Sequence, residues 1–488
     1  MTQWNRFIDS EVKDLVRSKR TVRSPGADGE SLSLYLEGPG TRFAKGESKH
    51  LERLKRDLNT GTYRSRPVFE KVFPKKNGGL RRVYSLTSRD YLVSRAVGRG
   101  LRDMEPMFRP TSPRDSVLEL VSYLQPEATR PPQLGAVIRL DVKSYFDEIP
   151  ESKVSAQFDR PKACEEGVSI EGAMRRLSGA KVWHEGIKVK ERASVFAPQG
   201  FPHSAAIAQW YIASFLEQWA PMEQARLGIE MRVFRFVDDI LILFPGKIGR
   251  LKVELCYWGL VRLFRRNGLS LHSRGSTGKT LVTLLDSDRL LDFRFLGLSL
   301  RSAPDGSLRV SLPESVVKSR KTFIWRQFNR FFGANLSPRI SKMNFGQRVN
   351  LLKYKILRDS AGCRYRGKGH GFVNYWGISQ DASSFVLLDN FVKKCCKSFK
   401  VMKNGRPLIE SQYYLSFKKI KTKGYRESVM FNYDTMDRKR RSKILVDQFG
   451  FTPSYLQGLS SDHLNNVWHS TVREDLVGIP VGGYDYAP

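Results

Sequence analysis

Over residues 69–84 mixed apolar and charged runs stand on either side of Asn77-Gly78-Gly79, which predicts two strands joined by a tight reversal, with Lys75, Lys76, Arg81 and Arg82 flanking it. Tyr91, Leu92, Ala96, Val97 and Leu101 then recur at helical spacing, so 89–107 reads as a helix interrupted by Pro106. Ala136-Val137-Ile138-Arg139-Leu140 is an apolar strand that ends on Asp141. A Pro-Gln-Gly-Phe-Pro turn at 198–202 launches an apolar helical stretch over 205–219. Two further apolar strands, 233–237 and 240–244, meet at the carboxylate pair Asp238-Asp239.

The flanks read differently. Residues 1–65 form a charged, mostly helical lead-in broken at Gly38, Pro39 and Gly40, and 66–312 hold the strands described above. Over 313–392 Val316, Phe323, Ile324, Phe328 and Phe331 mark an aromatic-faced helix surrounded by Lys318, Arg320, Lys321, Arg326 and Arg330. The last segment, 393–488, begins with a strongly basic run: 16 Lys and Arg against 4 Asp and Glu between Lys393 and Lys443. Tyr413, Tyr414, Tyr425, Tyr433, Phe399, Phe417 and Phe431 are interleaved with those charges, and a Gly-rich tail carrying Tyr484 and Tyr486 is expected to be flexible.

Charge narrows the function classes. The 488 residues hold 83 Lys and Arg against 49 Asp and Glu, a formal charge of +34, and self-repulsion of that size is tolerated when the partner is a polyanion. Nucleic acid is the first candidate. An anionic membrane is disfavoured, because no stretch reaches the roughly 18 apolar residues of a spanning helix. The start of the chain lacks the layout of a secretory signal, so a cytoplasmic location is expected. The five cysteines fit that compartment: Cys164, Cys256 and Cys363 stand alone, and Cys395-Cys396 lacks partners at zinc-ligand spacing.

Asp238-Asp239 between two apolar strands is costly as structure, since ionised carboxylates at a core rim repel each other and lose solvation. A polar two-residue hairpin turn explains the pair equally well on its own. Asp141, at the end of another apolar strand, shifts the balance, because neighbouring strand ends would gather three carboxylates. Hard oxygen ligands of this kind suit Mg²⁺, with Mn²⁺ a substitute, and two such ions about 3.5–4 Å apart activate a 3′ hydroxyl and stabilise departing pyrophosphate.

With these residues in view, Asp141-Val142-Lys143-Ser144-Tyr145-Phe146-Asp147-Glu148-Ile149 resembles motif A of reverse transcriptases, and Phe236-Val237-Asp238-Asp239 resembles their motif C. Ala197-Pro198-Gln199-Gly200-Phe201-Pro202-His203-Ser204 resembles motif B of bacterial and group II intron members. Gly278-Lys279-Thr280 and Phe293-Arg294-Phe295-Leu296-Gly297 resemble motifs D and E, and Lys75 to Tyr84 the fingers hairpin. The order is that of the family, over residues of about 70 to 300.

The resemblance implies an α+β right-hand polymerase fold, fingers and an antiparallel palm sheet, followed by a helical thumb-like region and a basic C-terminal region. It implies RNA-directed DNA synthesis from dNTPs. Asp141, Asp238 and Asp239 would be the catalytic carboxylates, and with the carbonyl of Val142 the metal ligands. Lys76 and Arg81 would contact the triphosphate, Arg by bidentate bonds. Hairpin alternation sends Arg81 and Arg82 to opposite faces, without telling which points inward. Phe146 would exclude a 2′ hydroxyl, although an ordinary core phenylalanine fits the local pattern too. Gln199 and Gly200 would shape the nucleotide pocket, Gly200 by close backbone approach. Lys279 would stand near pyrophosphate as a general acid, or else be a solvated surface lysine. Phe236 departs from the tyrosine usual in the motif C box while keeping a ring.

The C-terminal third shows no endonuclease, integrase or RNase H pattern: His370, His463 and His469 are scattered. What remains resembles the defence-associated and abortive-infection reverse transcriptases, which implies a homo-oligomer working with a structured non-coding RNA as template and a DNA product. The alternative is a group II intron-type maturase or splicing cofactor on the same fold. Lys393, Lys394, Lys397, Lys400, Lys418, Lys419, Lys421, Arg438, Lys439, Arg440 and Arg441 are the candidate RNA contacts, with the interleaved rings available to stack bases. A solvated face over a small aromatic core is the other reading of that segment. Tyr484 and Tyr486 are candidate protein primers.

Overall fold

The computed structural model describes residues 3–17, 47–74, 80–104, 113–124, 133–155, 169–184, 187–189, 196–275, 279–285, 292–302, 308–365, 368–423 and 430–480. Lys75, Lys76, the Asn77-Gly78-Gly79 reversal, Cys164, Gly278, Tyr425, Tyr484 and Tyr486 lie outside them. The chain divides into two compact units, one of Met1–Thr111 with Pro132–Arg289 and one of Ser112–Pro131 with Leu290–Pro488. The sequence boundary drawn at 312 therefore falls inside the second unit.

In the first unit, strands β1 (Val68–Pro74) and β2 (Leu80–Ser85) pair antiparallel, with Phe73 opposite Arg81. Strand β3 (Leu134–Asp141) alternates little: Ala136, Val137, Ile138 and Leu140 are all buried. A near-continuous apolar run of this kind is what a strand covered on both faces requires. β4 (Val182–His184) and β5 (Ile187–Val189) extend the β1–β2 sheet. β6 (Arg232–Phe236), β7 (Asp239–Pro245) and β8 (Leu281–Leu284) join β3 in a four-stranded antiparallel sheet of order β6-β7-β3-β8.

Helices Ser88–Met104, Ser204–Leu227 and Arg250–Arg266 share one core with this sheet, as does the N-terminal helix Gln3–Arg17. That first helix is held by charge as well as by Trp4, Phe7 and Ile8. Its buried Glu11 accepts from Arg95 Nε at 2.6 Å and from Arg99 Nε at 2.7 Å, and such ion pairs persist inside a core only when both partners are satisfied. The helix expected over 205–219 runs on to Leu227 through Pro221 and ends on Gly228 in the left-handed region.

The second unit is mainly helical. Its three-stranded antiparallel sheet, Asp292–Phe295, Leu298–Ser302 and Leu308–Ser311, carries the motif E-like residues, with Leu296 and Gly297 in the turn at positive φ. The aromatic-faced helix spans Glu314–Phe332 and buries Ile324, Phe328 and Phe331. Helices Phe345–Ala361 and Ser461–Asp475 are joined by a buried ionic cluster: Arg358 donates to Asp475 Oδ2 at 2.6 Å and to Gln448 Oε1 at 3.0 Å. Asp359, equally buried, accepts from Arg320 at 3.1 Å and from the Tyr413 hydroxyl. Cys256, Cys363, Cys395 and Cys396 are free, buried thiols, as packing residues should be. No helix among the described residues is long and apolar enough to cross a membrane.

Candidate active site

The site forms where β3, β6 and β7 end. Antiparallel register sets Asp141 at the tip of β3 directly opposite Asp239 at the start of β7. β6 and β7 form a hairpin closed by the pair Phe236–Asp239, so Val237 and Asp238 are its two-residue turn. Val237 takes φ 55°, which a β-branched residue rarely adopts, and functional sites are where such backbone strain is retained. Asp238 is thereby presented beside Asp239 and across from Asp141. Burial, then the charge of Asp239, push its pKa up to about 7, with Asp141 adding to the rise and Arg81 opposing it. Asp239 is also raised, by burial first, against the lowering effect of Arg139.

Each outer carboxylate faces a cation. Asp239 Oδ1 lies 3.7 Å from Arg139 Nη2, and Asp141 Oδ2 lies 3.4 Å from Lys279 Nζ. His272 Nε2 is 3.1 Å from Lys279 Nζ and 3.7 Å from Asp141 Oδ1. Sequence reading missed Arg139 and His272. Arg139 was within reach, because period-2 alternation puts it on the same strand face as Asp141; His272 had no local signal, its place being set by pairing with β3. That pairing is an isolated bridge of Val142 to Leu271, in which Lys143 N donates to Ser270 O at 2.8 Å and His272 N to Asp141 O at 3.0 Å. Successive carbonyls of an extended strand alternate in direction, so the Val142 carbonyl turns to the other side, that of β7.

Among the described residues no group of three His, Cys, Asp or Glu side chains is close enough to coordinate one ion as it stands. Asp141 turns to Lys279 and His272, and Asp239 to Arg139. The donor set nonetheless fits a hard divalent cation: three carboxylates and a carbonyl at one sheet edge, with mutual repulsion that such a cation relieves. Asp141, Val142, Asp238 and Asp239 would hold it.

The nucleotide-pocket candidates fall into three groups. Phe146 sits half-buried on the single-turn helix Tyr145–Glu148 that follows Asp141, its ring 5.8 Å from that of Tyr145. Arg82 pairs with Glu70 at 3.4 Å, and the charge of Arg81 opposes the rise at Asp238. Gln199 and Gly200 lie against β2: Tyr84 N donates to Gln199 O at 2.8 Å, and a Cβ on Gly200, at φ 106°, would stand 2.3 Å from Tyr84 O. The close approach that Gly200 permits is thus to a protein strand. Lys76 is outside the described residues.

The basic C-terminal segment corrects one expectation. Tyr413, Phe417 and Tyr433 are buried, so their rings serve the core and are not available to stack bases. Phe399 packs on Trp325 and Phe328. Lys393, Lys394, Lys397 and Lys400 are exposed on and just beyond helix Ser383–Ser398, and Lys418, Lys419 and Lys421 on helix Tyr413–Lys423. Arg438 is tied to Ser461 Oγ at 2.6 Å and Leu459 O at 2.8 Å, and Arg441 to Asn465 Oδ1 at 2.6 Å, whereas Lys439 and Arg440 are exposed.

The family comparison spans the residues of this site. Residues 73–300 match the family described as reverse transcriptase (RNA-dependent DNA polymerase). No curated protein matches the sequence. Among solved structures, telomerase from Candida albicans in complex with a TWJ fragment of telomeric RNA is 13% identical with a TM-score of 0.37, covering 86% of this chain and 71% of that one. Apo telomerase from Candida tropicalis truncated from its C-terminal domain is 14% identical with a TM-score of 0.36, covering 51% and 55%. Residues 73–300 are a reverse transcriptase domain of mixed α+β fold, and the protein is an RNA-directed DNA polymerase, a nucleotidyltransferase.

Proposed function

We propose that this polymerase adds dNTPs to a 3′ end at the edge of the β6-β7-β3-β8 sheet, with Asp141, Asp238, Asp239 and the Val142 carbonyl holding two Mg²⁺ ions. The observation that carries this reading is the register of Asp141 opposite Asp239, with Asp238 on the adjoining turn and its pKa raised by burial and then by their charges. When bound, the ions would lower the pKa of the 3′ hydroxyl and neutralise the leaving pyrophosphate. The remaining work falls to side chains. Arg81 and Lys76 bind the triphosphate, Phe146 excludes the 2′ hydroxyl, and Gln199 and Gly200 shape the pocket wall. Lys279, 3.4 Å from Asp141, holds a proton near the reacting phosphates.

The resemblance to defence-associated reverse transcriptases, together with the exposed lysines of helices Ser383–Ser398 and Tyr413–Lys423, supports a structured non-coding RNA as template, a homo-oligomer and a cytoplasmic role against phage. Tyr484 and Tyr486 are the candidate priming hydroxyls. Incorporation of labelled dNTPs with Mg²⁺ should be lost in Asp238→Ala and Asp239→Ala; persistence in both would overturn the site. Sequencing RNA and DNA retained by protein purified after phage exposure tests the role. A protease-resistant free 5′ end on the product rules out tyrosine priming, and stimulated splicing of a flanking intron RNA favours the maturase reading.

A further inference from the structure

We infer that Gln209 is a positioning residue that fixes the Val237–Asp238 turn. Its side-chain Oε1 accepts the Val237 N–H at 3.0 Å, and the side chain is 4% exposed. Val237 is the residue held at φ 55°, so this hydrogen bond falls on the N–H of the strained residue immediately before Asp238. A backbone N–H at a two-residue turn tip has no strand partner, and leaving it unsatisfied in a half-buried place is costly.

The same helical turn grips the neighbouring elements. The Gln209 carbonyl accepts from Arg235 Nη1 at 2.8 Å, which fixes β6 just before the turn. The adjacent Ala208 carbonyl accepts from the buried Tyr145 hydroxyl, on the short helix that follows Asp141. One turn of helix Ser204–Leu227 therefore touches the segment after Asp141 and the segment before Asp238. That helix begins directly after the Gln199–Gly200 loop. Of these contacts, that of Gln209 reaches the strained residue itself through a side chain.

The inference rests on Asp238 being a metal ligand, and the test separates the two claims. In primer extension, Gln209→Met, which keeps the length and removes the acceptor, should lower kcat about tenfold, the size of one lost hydrogen bond, and leave the KM for dNTP within about twofold. Gln209→Glu, which keeps an acceptor oxygen in place, should recover most of that loss. Val237→Gly makes φ 55° inexpensive, so the Gln209→Met defect should shrink in the Val237→Gly background. If Asp238→Ala is inactive while Gln209→Met has wild-type kcat, the brace is wrong and the site stands. If Gln209→Met lowers only the melting temperature, its role is structural and the inference also fails. Full incorporation by Asp238→Ala overturns the site reading itself.

Discussion

Two titratable groups give the site opposite pH signatures. Asp238 is raised to about 7 by burial and by Asp239, so below that pH a proton must leave before a cation binds. The apparent Mg²⁺ affinity in incorporation should therefore fall about tenfold for each pH unit below about 7 and level off above it. A requirement for Mg²⁺ that is the same at pH 6 and pH 8 would contradict this. For stability the sign is that of a carboxyl whose folded pKa lies above its unfolded 3.8: the folded state holds its proton more tightly, and stability is lost as pH rises through that window. Asp238→Asn should consequently raise the melting temperature at pH 8 while ending incorporation. His203, in the motif B-like loop, behaves the other way. Its ring is fully buried against the Ser94 hydroxyl, 2.8 Å from Nδ1, and burial lowers its pKa from 6.5 to about 3. The unfolded chain takes up that proton first, so stability present above pH 6.5 should drain by about 1.4 kcal/mol per unit as pH falls below it. Urea unfolding at pH 7.5 and 5.5 should show this slope in the wild type and a reduced one in His203→Gln.

At the scale of elements, the docking of the Gln199–Gly200 loop on β2 decides whether hairpin and palm form one pocket. Gly200→Ala puts a methyl into the Tyr84 carbonyl at a φ that alanine resists, and should lower kcat/KM for dNTP by about 100-fold or more and the unfolding free energy by about 1–3 kcal/mol. Wild-type kinetics in Gly200→Ala would mean that the loop has room the geometry denies it. On the hairpin, Arg81→Ala should raise the KM for dNTP about tenfold or more, the worth of a charge-assisted hydrogen bond, while Arg82→Ala, which loses the pair with Glu70, should change it less than about twofold. These elements were largely legible in the sequence. The strands around Asp141 and Asp238 are mainly apolar runs, the hairpin has its turn residues, and both signals are local. Gln209, His272, Arg358 and Asp359 were not legible. Their partners lie 28, 131, 117 and 54 residues away along the chain, and a polar side chain buried inside a helix has the same local pattern as one facing water. The burial of Tyr413, Phe417 and Tyr433 was misread for a related reason, since rings interleaved with lysines fit either an amphipathic core helix or a stacking surface.

For the molecule as a whole, a charge of +34 must be divided between cations that build the fold and cations left for a polyanion. Arg95, Arg99, Arg320, Arg358, Arg438 and Arg441 belong to the first group, each held by a partner inside its own unit. Lys393, Lys394 and Lys397 belong to the second: they are exposed along one helix and surround the buried Cys395 and Cys396 that anchor it. The two groups should separate in experiment. Replacing Lys393, Lys394 and Lys397 together by alanine should leave the melting temperature nearly unchanged and weaken RNA binding, with the slope of log K against log salt falling in magnitude by about 2, three phosphates at about 0.7 each on a single strand. Arg438→Ala and Arg441→Ala should do the reverse, lowering the melting temperature through the lost contacts to Leu459, Ser461 and Asn465 while the salt slope holds. An unchanged slope in the triple lysine variant would remove helix Ser383–Ser398 from the RNA surface. The excess charge would then have to act as a diffuse attraction spread over the chain, because counterion release counts contacts made and is indifferent to net charge elsewhere.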